Sequence, residues 1–204
     1  MMKTIGCLVV VALAVVVGGL VLYGVGAYNG LVGANEQVDS QWAQVENVYQ
    51  RRADLVPNLV ATVRGAADFE QETLNQVIEA RSRVGQVTAE ATERIVDDPQ
   101  RFARFEAAQD ALSSALSRLL VVVERYPELR ATQAFRDLMV QLEGTENRIA
   151  TERRRFNEVA QSFNTRLKRI PARWFNGALG WGFEEKAYFS AQPGAETAPE
   201  VEFP

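Results

Sequence analysis

Between Ile5 and Val25 the chain is an uncharged apolar run dominated by Val, Leu, Ala and Gly. Everything after it is polar, helix-patterned chain. At ~1.5 Å per residue the run reaches about 30 Å, the hydrocarbon thickness of a bilayer. It predicts a transmembrane helix over residues 5–27 behind a short flank, residues 1–4. A cleaved signal peptide is the main rival, with Val25-Gly26-Ala27 as its small-residue site. The apolar stretch is too long for that reading. A lipoprotein fits less well, because the run follows Cys7 instead of preceding it. Lys3 precedes the helix and the next basic residue is Arg51, so the positive-inside rule puts the remaining domain outside the cytoplasm.

From Tyr28 onward apolar residues recur in steps of three and four, the mark of amphipathic helices. The first stripe is Leu31, Val38, Trp42, Val45, Tyr49, Val56, Leu59 and Val63, and Pro57 within it predicts a kink or division near Val56. A second segment, about Ala67 to Ala89, turns Phe69, Leu74, Val77, Ile78, Val84 and Val87 inward. Asp97-Asp98-Pro99 reads as a turn and helix start. The third stripe runs from Phe102 to Val123, and Tyr126-Pro127 breaks it. A fourth segment, Glu128 to Ile170, is striped by Phe135, Leu138, Leu142, Ile149, Phe156, Phe163, Leu167 and Ile170. No run shows strand alternation. The reading is all-α: an N-terminal transmembrane helix, then an antiparallel helical bundle over residues 28–171 with two long and two short helices. An aromatic-rich segment, 172–191, and a Pro/Glu/Ala/Thr tail, 192–204, expected to be mobile, complete the chain.

Composition removes chemistries. There is no histidine, and the one cysteine lies in the anchor. Cys/His zinc sites, serine–histidine triads and internal disulfides are excluded. Beyond residue 27 the charges are 21 basic and 26 acidic, which argues against nucleic acid as a partner. Neither a metal nor a cofactor is expected. A hydrolase using paired carboxylates has little support, because Asp and Glu are spread along helices with no pocket in view.

The wording of the stripes is more specific. Tyr28-Asn29-Gly30-Leu31-Val32, Gln50 to Val60 (QRRADLVPNLV), Glu124-Arg125-Tyr126-Pro127-Glu128-Leu129, Gly144 to Ile149 (GTENRI) and Phe183 to Phe189 (FEEKAYF) stand in order. Together they resemble the LemA family of bacterial membrane proteins over essentially the whole chain. The resemblance implies a single-pass protein of the bacterial inner membrane with a four-helix bundle of up-and-down character. It implies no established enzymatic activity. It also brings similar proteins that build magnetosome membranes, and family neighbours that include membrane proteases. Where relatives often carry Tyr-Asn in the last helix, this chain has Phe156-Asn157 and Phe163-Asn164.

Three groups of residues follow as candidates. Helix lengths leave the membrane-near part of the long helices as a two-helix stalk, whose Leu31, Val38, Trp42, Phe156, Phe163 and Leu167 are expected to stay uncovered and drive self-association. Gly26 and Gly30, at small-xxx-small spacing, add an anchor contact. Charged residues inside the stripes predict a polar core cluster of Arg52, Asp54, Asn58, Glu146, Asn147 and Arg153, pairing Arg52 with Glu146 and Asp54 with Arg148 or Arg153. Near the end of the fourth helix Arg169, Arg173, Trp174, Phe175 and Trp181 suit the membrane interface. The function expected is a non-enzymatic membrane scaffold whose partners are copies of itself and the lipid bilayer. The alternative is an adaptor or sensor for a membrane protease or signalling protein.

Overall fold

A computed structural model describes residues 2–65, 70–90 and 95–190, whose regular elements are all helical, without a strand. The helices are α1 (Met2–Arg64), α2 (Gln71–Glu90), α3 (Pro99–Val123), α4 (Pro127–Arg130), α5 (Gln133–Lys168) and α6 (Ala172–Leu179). A 3-10 turn, Ile95–Asp97, precedes α3. α1 packs most extensively on α5, and α2 on α3. The expected tail, 192–204, and Phe69 lie outside the described residues.

α1 is one helix of 63 residues, about 95 Å long. Its N-terminal part is apolar and lipid-ready, and it is the one helix among the described residues long and apolar enough to cross a membrane. The expected division at Pro57 does not occur. A proline there deprives the Ala53 carbonyl of its helical donor. Arg81 of α2 supplies the replacement, its Nε donating to Ala53 O at 2.9 Å.

The other boundaries have local causes. Asp98 caps α3, its carboxylate accepting from the amides of Gln100 and Arg101, with Pro99 at the first helical position. The expected fourth segment is divided: α4 is a single turn, and α5 restarts where Thr132 accepts from the Phe135 amide. Ile78 and Ile170, read as inward, are exposed.

Two apolar clusters fill the interior. The upper one joins Val56, Leu59 and Val63 of α1 to Leu74 and Val77 of α2, Leu112 to Leu119 of α3, and Phe135 and Leu142 of α5. The lower one, nearer the anchor, joins Leu31, Val38, Trp42 and Tyr49 to Phe102, Phe105, Phe156 and Phe163.

Candidate functional site

A polar layer separates the two clusters. Arg52 is only 2 % exposed and donates to five acceptor atoms of α3 and α5, both Glu146 carboxylate oxygens among them. Its Nη1 reaches Ser113 Oγ at 2.7 Å and Glu146 Oε1 at 3.0 Å, while Nη2 reaches the Gln109 carbonyl at 3.0 Å and Gln109 Oε1 at 2.6 Å. Arg52 thereby ties α1 to both α3 and α5 at this height. Arg153 pairs with Glu106 at 2.8 Å instead of Asp54. Asp54 is exposed and accepts from Gln50, and Asn58 and Asn147 are exposed too, so these three stand outside the buried cluster. Tyr49 lies beside the layer, with the Arg52 guanidinium 5.1 Å from its ring centre. Burial pushes its phenol up to about 12, against the opposing pull of Arg153 and Arg52. An open groove of about 860 Å³ flanks this layer, lined by Tyr49, Arg52, Glu146, Arg153 and Arg154 among others.

The uncovered stalk does not exist. Leu31, Val38, Trp42, Phe156, Phe163 and Leu167 are all buried within the single chain. Two things cover them. Phe102 and Phe105 of α3 reach down to Trp42, with ring centres 5.7 and 5.3 Å away. Lower down, residues 181–190 return along α1 and α5 as an extended strap. Helix lengths alone gave no hint of this cover, because the strap is not a helix.

Three asparagines hold the strap by its backbone. Asn164 Nδ2 donates to Lys186 O at 2.9 Å, and Lys186 N donates to Asn164 Oδ1 at 2.8 Å. Asn157 makes the same double bond with Phe189, at 3.0 and 2.9 Å. Asn176 of α6 does so with Phe183, at 3.0 and 3.1 Å. The side chains at these positions turn inward. Phe189 enters a cage of Trp42, Tyr49, Phe102 and Phe156, with Arg153 4.5 Å over its ring. Lys186, only 3 % exposed, pairs with Asp97 and lies 4.9 Å from the Phe163 ring centre. Sequence reading missed Asn157, Asn164, Asn176 and Lys186. The signal was present as Phe183-x-x-Lys186-x-x-Phe189, a period of three that fits neither helix nor strand.

α6 forms a foot beside the anchor. Phe175 faces Gly24, where a Cβ would sit 3.9 Å from its ring, and Trp181 meets Tyr28 edge-on at 5.2 Å. Trp174 is 65 % exposed, and Leu179, Arg169 and Arg173 are also exposed. The foot thus lies level with the end of the apolar span.

A model of the LemA family matches residues 41–203. The chain belongs to the LemA family. It is 26 % identical over 184 residues to the magnetosome proteins MamQ 1 and MamQ 2 of Paramagnetospirillum magneticum, a match spanning 83 % of this chain and 67 % of theirs. Protein LemA of Metamycoplasma hominis is 22 % identical over 143 residues, 70 % of this chain and 60 % of that one. The LemA match takes in Arg52, the three asparagines, the foot and the strap, and leaves the apolar anchor outside it. Among the described residues no three Cys, Asp or Glu side chains gather to hold a metal ion.

Proposed function

We propose that this LemA-family chain is a non-enzymatic, membrane-anchored scaffold that associates with copies of itself, its foot resting on the lipid headgroups and its helical body outside the cytoplasm. The observation that carries the membrane part is the position of α6. It touches α1 at Gly24 and Tyr28, where the apolar run gives way to the body, and leaves Trp174, Leu179 and Arg173 uncovered on its other side. Exposed aromatic and cationic side chains at that height match the chemistry of the interfacial layer. The magnetosome names of the relatives are consistent with a role on membranes.

Self-association needs a different route from an uncovered stalk, since the chain covers its own flanks. One route is the anchor, where Gly26 and Gly30 have open space beside them. Small residues let transmembrane helices approach closely. The second reading, an adaptor for a membrane protease or signalling protein, draws on the open groove at Tyr49, Arg52 and Arg154, which has room for a partner segment.

Tryptophan quenching by brominated lipids tests the foot. In liposomes holding the full chain, shallow bromine labels should quench Trp174 and Trp181 but spare buried Trp42. Equal emission with and without the labels would reject contact between the foot and lipid.

A further inference from the structure

The strap is bound the way a protein binds a peptide. Each clamp asparagine offers one acceptor and one donor to the same strap residue, so the backbone is held independently of side chains. The spacing is matched as well. Asn157 and Asn164 stand two helical turns apart, about 10.5 Å along the axis. Lys186 and Phe189, three residues apart in extended chain, cover about 9–10 Å. The strap climbs from Tyr28 to Tyr49 of α1, about 31 Å, with nine residues that span about 30 Å when extended. Specificity comes from the inserted Phe183, Lys186 and Phe189.

The strap's attachment to its own body is slight. The link runs through α6, which has no buried residue, and through Gly180 and Gly182, with φ of 65° and 74°. Glycine changes such angles at little cost. Asn176, on the link itself, clamps Phe183, whereas residues 186–190 are held by Asn157 and Asn164 of α5, by Val96 and Asp97 of the turn before α3 and by Glu106 of α3, a set that forms equally when those residues belong to another copy.

Resting on the self-association proposed above, we infer that the groove between α1 and α5 accepts residues 181–190 of a neighbouring copy, so that LemA chains join by exchanging straps. Exchange of an identical element needs no new surface chemistry. Each anchor also holds groove and strap at one height above the bilayer, so neighbours meet in register and at raised local concentration. The buried Trp42, Phe156 and Phe163 then become an interface between chains.

Directed disulfides in full-length protein test this, starting from Cys7→Ser to remove the one native thiol. The Ala187 amide donates to Val96 O at 2.9 Å, so a cysteine pair at these positions reports a seated strap. One copy carries Val96→Cys, a differently tagged copy carries Ala187→Cys, and both are reconstituted together in liposomes. Exchange predicts a heterodimer joined by a disulfide. A soluble peptide of residues 181–190 should reduce its yield several-fold, and the same peptide with Lys186→Ala and Phe189→Ala should leave it unchanged. If the tags co-purify but no heterodimer forms, while a copy bearing both cysteines closes internally, exchange is wrong and association uses another surface. If the tags do not co-purify at all, both exchange and self-association fail. Cross-linking that is indifferent to the native peptide would also overturn the proposal, because it would mark random collision.

Discussion

Replacing Arg52 with alanine strands the buried acceptors of Gln109. Each buried acceptor left unpaired costs about 1–3 kcal/mol, so the urea midpoint of Arg52→Ala should fall sharply. Glu146→Gln should lose less than about 1 kcal/mol, because Glu146 is 40 % exposed and its pair is screened by solvent. Tyr49 gives a pH signature. Its folded pKa is raised to about 12 by burial, above the ordinary 10, so the native state holds the phenol proton more tightly than the unfolded chain. Its contribution to stability is complete below pH 10 and is lost as pH climbs towards 12, about 2–3 kcal/mol in all. Alkaline unfolding of Tyr49→Phe should lack that part of the slope. Arg52 and Glu146 are legible as neighbours because each interrupts an apolar stripe. Arg153's partner was not, because Glu106 sits on α3, whose rotation about its axis the stripe fixes only coarsely.

Among the elements, the helical stretches follow from steps of three and four, and the α3 start from Asp98-Pro99. The continuity of α1 through Pro57 was illegible, since the donor that compensates comes from Arg81, 28 residues away. Arg81→Ala should therefore cost about 1 kcal/mol in the native background. In a Pro57→Ala background the cost should vanish, because the new amide at position 57 takes the Ala53 carbonyl. Equal costs in both backgrounds, measured by thermal unfolding, would remove that explanation. The strap escaped notice for a different reason: it has neither helical nor strand periodicity, and its partners are amides scattered over two helices. Asn164→Leu leaves the Lys186 amide and carbonyl unpaired in a buried place. A loss of about 1–3 kcal/mol for each group is expected. Hydrogen exchange should show it first at Lys186 and Phe189, with the upper cluster unaffected.

Two long helices and two short ones left bare flanks on paper, and the chain clothes them with its own C-terminal segment. Among the described residues the anchor, the foot and the groove beside Arg52 remain open to the surroundings. Copy number in a bilayer tests the scaffold reading most directly, through native mass measurement of the full-length protein drawn from membranes into lipid nanodiscs. Discrete species of two or more copies are the predicted result, with dissociation when the strap residues Lys186 and Phe189 are both replaced by alanine. One copy per disc at every protein-to-lipid ratio would contradict it.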